Sequence, residues 1–167
     1  MRILGIDPGY ARLGYAVVDY LDDCFTICDY GCIETSAKTP FPERLLVIFE
    51  ALTALCERFE PTAVAIEELF FAQNTTTAIG VAEARGVAVL AGAIRHLPVY
   101  EYTPLQVKMA VVGYGNADKQ QVQAMICHIL RLRKAPKPDD AADALAVAIC
   151  HAHSGNRPEF LAVGGYQ

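Results

Sequence analysis

The sequence is short of positive charge, of long apolar runs and of any leader-like opening. Its 167 residues carry a net charge of −5, a balance that at first sight argues against nucleic acid as a partner. The longest apolar stretch, Gly86 to Ile94, is too short to span a bilayer, so no membrane partner is expected. The first residues read as a strand containing Asp7, not as a signal peptide. Without an export signal, the six cysteines have no support as disulfides and read as reduced core thiols of a cytoplasmic protein. Cys24, Cys28 and Cys32 are spaced like a ligand series. They fall in a strand-like segment, however, where four-residue steps separate side chains by about 13 Å, too far to chelate one metal. Repeats and linkers are also missing, which predicts a single domain over residues 1–153, with 154–167 a flexible tail around Gly155, Pro158, Gly164 and Gly165.

What is present is a globular composition, 53% hydrophobic and 20% charged, which excludes a disordered chain. The charge is also unevenly placed. Between Asp19 and Glu68 there are 11 acids and 3 bases, whereas Thr103 to Lys137 holds six bases (Lys108, Lys119, Arg131, Arg133, Lys134 and Lys137) against Asp118 alone. That asymmetry allows one basic face on an acidic protein.

Apolar residues run from Ile3 straight to Asp7, and Pro8-Gly9 stops them; this is the pattern of a buried strand with an acid at its carboxyl end. Leu13 to Tyr20 and Cys24 to Glu34 follow as strands, joined by a turn at Leu21-Asp22-Asp23, an antiparallel meander of three. Pro40 and Pro42 open a helix whose buried stripe reads Leu45, Leu46, Phe49, Leu52, Cys56 and Phe59. A fourth strand, Thr62 to Ile66, ends in Glu67-Glu68. Asn74 and Thr75 to Thr77 offer caps for a helix from about Thr77 to Arg95, apolar nearly all round. Pro98 to Tyr102 makes a fifth strand. A short helix carries Lys108, a capping box at Asp118 and Gln121 starts another, and the last runs from Pro138-Asp139-Asp140 to about His153. The fold class is α/β, with a five-stranded mixed sheet, three antiparallel strands and then parallel ones, flanked by helices.

Four acids stand out. Asp7 and Glu67 end two strands that, as parallel neighbours, would project at one sheet edge, where open α/β sheets bind ligands. Asp140 and Asp143 lie three apart on one helix face, and Asp143 sits among Ala141, Ala142, Ala144, Leu145, Ala146 and Val147, company that does not solvate a carboxylate. Asp139 has a simpler role as an N-cap, and Asp140 could share it. With no His or Cys set beside it, a four-carboxylate site is all oxygen and suits magnesium or manganese rather than zinc. Two such ions, roughly 3.5–4 Å apart, can activate water and stabilise the leaving oxygen of a phosphodiester.

Leu4-Gly5-Ile6-Asp7-Pro8-Gly9, Ala65-Ile66-Glu67 with Phe70 and Asn74, Ala84-Arg85-Gly86, Gln106-Val107-Lys108 and Asp140-Ala141-Ala142-Asp143-Ala144-Leu145-Ala146 together resemble the RuvC family of Holliday-junction resolvases. The resemblance runs in order from about residue 2 to His153. It implies a ribonuclease-H-like fold, a homodimer, magnesium dependence with two ions per subunit (manganese as a substitute), and nicking of four-way DNA junctions that leaves 5′-phosphate ends, in company with branch-migration machinery. It also implies that Asp7, Glu67, Asp140 and Asp143 are the metal-binding catalytic set, with Glu68 and Asp139 as bystanders. Phe70 is then the aromatic that contacts the junction, and Lys108 and Lys119 the basic residues near the scissile phosphate. The segment Arg131 to Lys137 could follow a phosphate backbone. His151 and His153 read as terminal histidines favouring the helix dipole, and Cys127, His128 and Cys150 as packing residues. The surplus apolar surface of the Thr77–Arg95 helix marks the dimer interface, with Val81 and Ala88 as trial partner-facing positions.

Other readings keep part of this. A related nuclease of the same fold would process RNA, an actin- or sugar-kinase-like domain would bind nucleotide, and a junction-binding protein would bind without cutting. The nucleotide reading needs two such domains, and intact acids at all four positions disfavour the last.

Overall fold

The Pro8-Gly9 stop does close a strand. The computed structural model describes residues 1–69 and 75–154, and its elements run β1 (Arg2–Asp7), β2 (Arg12–Leu21), β3 (Cys24–Glu34), α1 (Phe41–Phe59), β4 (Ala63–Glu67), α2 (Thr75–Ile94), β5 (Val99–Tyr102), α3 (Pro104–Val112), α4 (Lys119–Ile129) and α5 (Asp139–Ser154). The sheet order is β3-β2-β1-β4-β5. β1 and β2 pair antiparallel, as do β2 and β3, while β1–β4 and β4–β5 are parallel. The β2–β3 turn places Asp22 and Asp23 at φ of 49° and 59°, the double left-handed conformation whose twist matches a tight hairpin.

Side chains alternate across a strand, and this alternation decides which layer each residue meets. Leu4, Ile6, Leu13, Val17, Val64 and Ile66 pack with α1 and α2 on one face. Ile3, Ala16, Val18 and Ala65 pack with α3, α4 and α5 on the other. By the same parity Gly5 and Asp7 of β1, Arg12 and Gly14 of β2, and Glu67 of β4 belong to the α5 face. Glu68, one step on, does not; it is exposed, and its backbone N–H donates to Tyr102 O (2.8 Å).

α5 lies unusually close to the sheet because two glycines let it. A Cβ on Gly5 would stand 2.4 Å from the Ala144 carbonyl oxygen, and one on Gly14 would stand 2.0 Å from that of Asp140. Those distances forbid any side chain there while the helix keeps its place. The alanines of α5 complete the fit: Ala141, Ala142, Ala144 and Ala148 are fully buried.

Helix ends follow their local chemistry. Thr103 and Gln106 form a capping box on α3, Asp118 and Gln121 another on α4, and Gly113 closes α3 in the left-handed region at φ 83°. Four expectations need correction. The inner stripe of α1 is Arg44, Ile48, Leu52 and Cys56, with Leu46 turned to solvent; the sequence period was right but its phase was off by part of a turn. Ala88 of α2 is 1% exposed and belongs to the core with Ala84 and Ala91, so it faces no partner. Asp139 is inside the first turn of α5 and not its cap; its carboxylate is taken by Lys137 (2.9 Å), Gln123 (3.2 Å) and Lys119 (3.3 Å). His151 does not answer the helix dipole either. It is half-buried against Tyr100 and Tyr102, with Nδ1 2.7 Å from Tyr102 Oη, and desolvation lowers its pKa to about 4, leaving it neutral.

The six cysteines are free thiols. By length and composition the Thr77–Ile94 stretch of α2 is apolar enough to cross a bilayer, which the shorter run read from sequence understated. One side of it, through Ala84, Ala88 and Ala91, is part of the core. Ile79, Leu90 and Ile94 on the other side are 68%, 52% and 52% exposed. The Asn74 cap and the tail from residue 155 lie outside the described residues.

Candidate active site

Three segments distant in sequence deliver the four acids to one place. Asp7 ends the central strand, Glu67 ends its parallel neighbour, and the first turns of α5 carry Asp140 and Asp143 over that edge. Their charges are felt mutually. Burial, then Glu67, Asp143 and Asp140, push the Asp7 carboxyl up to about 8. Burial and then Asp143 push Glu67 up to about 7, against a hydrogen bond from Asp7 and the two lysines, which pull it down. Asp143 is also raised, by burial first, with Lys119 opposing. Carboxyls held this way resist ionising together unless positive charge joins them.

The cations that reach the acids come from two sides. On one side a pocket of about 280 Å³ is bordered by Glu67, Asp143, Lys108 and Lys119, with Pro104, Val107, Val122 and Ala146 as its apolar wall. Lys119 Nζ is 3.4 Å from Asp143 Oδ2 and 3.3 Å from Asp139 Oδ2. Burial alone would lower the Lys119 pKa; the neighbouring Asp143 and Asp139 outweigh it and raise it. On the other side Arg12 Nη1 approaches Asp140 Oδ2 at 3.5 Å. No motif in the sequence marks Arg12 as part of the site; strand parity, counted from Ala16 back through Gly14, finds it.

The donor set fits a hard divalent cation, since every candidate ligand atom is a carboxylate oxygen and the set is charge-starved. Among the described residues no group of three His, Cys, Asp or Glu side chains stands close enough to hold an ion as the side chains are placed. Lys108 and Lys119 border the same pocket as Glu67 and Asp143. Phe70 lies outside the described residues. Of the basic segment, Lys137 is paired to Asp139, while Arg131 borders an open cleft with Phe25 and His153, the latter at the end of α5 remote from the acids.

Comparison with known proteins bears on this arrangement. Residues 3–151 match the family described as crossover junction endodeoxyribonuclease RuvC. The crossover junction endodeoxyribonuclease RuvC of Alkaliphilus metalliredigens is 62% identical over 156 residues, 93% of this chain and 95% of that protein. Among solved structures, T. thermophilus RuvC in complex with Holliday junction substrate superposes with a TM-score of 0.88 at 39% identity, covering 92% of this chain and 94% of that one. The yeast mitochondrial Holliday junction resolvase, at 16% identity and a TM-score of 0.64 over 91% and 79% of the two chains, shares the fold alone. The fold is the ribonuclease-H-like one that the motifs implied.

Proposed function

Because this chain belongs to the RuvC family of crossover junction endodeoxyribonucleases, we propose that it resolves four-way DNA junctions by hydrolysing phosphodiesters at the Asp7, Glu67, Asp140 and Asp143 site. The observation that carries the reading is the convergence of four partly buried carboxyls next to a lysine-edged pocket, with the pKa values of Asp7, Glu67 and Asp143 raised by burial and by neighbouring acids. Divalent cations, magnesium or manganese and two per subunit, supply Lewis-acid charge and a lowered water pKa when held by these four acids. Asp7 and Glu67 would be the acids to lose protons on holding such ions, because their raised pKa values leave part of each carboxyl neutral near pH 7. Lys108 and Lys119 face the same pocket and hold the non-bridging oxygens of the phosphate against the acids. Val107, Val122 and Ala146 keep the inner wall dry, which strengthens each charge interaction there. Phe70 stacks on an unpaired base near the crossover. The products carry 5′-phosphate ends.

Resolving a four-way junction takes two cuts on strands related by a two-fold axis, and a two-fold homodimer supplies two sites so related. The outward side of α2, with Ile79, Leu90 and Ile94, is its interface, and exposed apolar area of that kind is what a partner covers. Residues 1–153 form a single nuclease domain, working in the cytoplasm beside branch-migration machinery.

One incubation with magnesium tests the reading, comparing a fixed four-way junction, a linear duplex and an RNA hairpin. Paired symmetric nicks in the junction alone are expected. Preferential cutting of the hairpin would move the activity to RNA processing, and tight junction binding without nicks would leave a binding protein.

A further inference from the structure

We propose that Arg12 is a phosphate-binding residue for the cut strand, on the flank of the carboxylates opposite Lys108 and Lys119. This rests on the junction-cutting reading and adds to it the path the strand takes. The acids repel any phosphate chain laid across them, so positive charge is needed on both sides of the cut, not at one end. The lysines serve the pocket side with Glu67 and Asp143; Arg12 is the cation at Asp140.

Arg12 is not consumed by Asp140. At 3.5 Å their contact is long for a charge-assisted hydrogen bond, and the Arg12 side chain remains 52% exposed. Its backbone, by contrast, is tightly fixed. A Cβ on Gly9 would meet the Arg12 carbonyl oxygen at 2.0 Å, so the β1–β2 turn folds onto itself. Thr35 N–H donates to Ala11 O (3.0 Å) and Thr35 Oγ1 donates to Tyr10 O. Arg44 of α1 donates through Nη2 to Tyr10 O (3.2 Å) and through Nε to Thr35 Oγ1 (2.8 Å), and its guanidinium lies 4.8 Å from the centre of the Tyr10 ring. Arg44 is 8% exposed and is, among the described residues, the charged side chain in the buried class. Burying an arginine is costly, and here it holds the turn that carries Arg12. A rigid base under a half-exposed guanidinium is the arrangement that recognises phosphate at low entropic cost.

The test uses the full chain carrying Asp7→Asn, so that the junction stays uncut, and follows binding by fluorescence anisotropy across a salt series. Adding Arg12→Gln should weaken binding about tenfold, the worth of one charge-assisted contact, and lower the salt slope by about one unit. Arg12→Lys should restore the slope. A junction with one neutral methylphosphonate beside the cut should bind the Arg12-containing protein about tenfold more weakly and the Arg12→Gln protein no more weakly still. An unchanged slope and affinity in Arg12→Gln, with its melting temperature intact, would reduce Arg12 to a counter-ion of Asp140 and overturn the inference. If the Arg12-containing protein itself binds a junction no better than duplex, the junction reading fails, and this inference with it.

Discussion

Asp7 and Asp19 sit near opposite ends of the same antiparallel ladder, β1 with β2, and they are in opposite electrostatic states. Asp19 is registered against Arg2, which grips it with Nε to Oδ1 at 2.8 Å and Nη2 to Oδ2 at 2.9 Å; those hydrogen bonds hold its pKa below the usual carboxylate range. Asp7 is partly buried among further acids and rises to about 8. The chain satisfies one aspartate from its own side chains and leaves the other in need of outside charge. His151 makes the same point at the far end of α5, where a half-buried polar group is answered by Tyr102 and stays neutral. Polar groups that the fold answers itself are architecture, while those it leaves unanswered are where chemistry is expected.

The largest effect should come from exchanging the two aspartates. Asp7→Asn is expected to slow nicking at least about a hundredfold, since even outer-shell losses at metal sites reach that size, with junction binding kept. It should also raise the melting temperature in the absence of metal, because a repelling buried carboxyl is gone. Asp19→Asn should do the reverse, leaving nicking alone and costing on the order of 1 kcal/mol, the range for a half-exposed pair. Near wild-type nicking by Asp7→Asn would remove it from the site.

Moving α5 should have the next largest effect. Gly14→Ala forces the Asp140 backbone away from β2 and should destabilise by about 1–3 kcal/mol. A displacement of about 1 Å at Asp140 should slow nicking by up to about a hundredfold, beyond what the stability loss explains. Denaturant unfolding and single-turnover rates separate the two contributions.

A smaller, graded effect is expected from pH. Asp7 and Glu67 have folded pKa values of about 8 and about 7, above their unfolded values of 3.8 and 4.5. The folded state therefore binds more protons, and without metal stability falls as pH rises toward 8. His151, lowered from 6.5 to about 4, has the opposite sign but is complete above pH 6.5. Between pH 6.5 and 8, calorimetry should show a falling melting temperature without metal, and a magnesium-induced increase that grows with pH. An increase independent of pH would detach the ion from these two carboxyls.

The smallest effect is expected at Glu68, the acid next to Glu67 in sequence and one strand step out of phase. Glu68→Gln should change stability by no more than about 0.5 kcal/mol and leave nicking rates as they are.

Local chemistry was enough to place much of this molecule. Pro8-Gly9 ended β1, Asp118 with Gln121 began α4, and Cys24 to Glu34 was read at its full length, because turns, caps and apolar alternation act over a few neighbouring residues. The four acids were legible for the same reason: a carboxylate at a strand end or among α5 alanines is out of keeping with its immediate neighbours. Tertiary structure alone decided the rest. Whether Leu46 or Ile48 is inside, whether Ala88 meets the core or a partner, and whether His151 is charged depend on what another segment lays against them. Gly5 and Gly14 gain their meaning only from the carbonyls of Ala144 and Asp140, more than a hundred residues away. Arg12 reaches Asp140 because that close contact brings α5 down onto β2, and burial of this kind is a property of pairs of elements, not of either sequence alone.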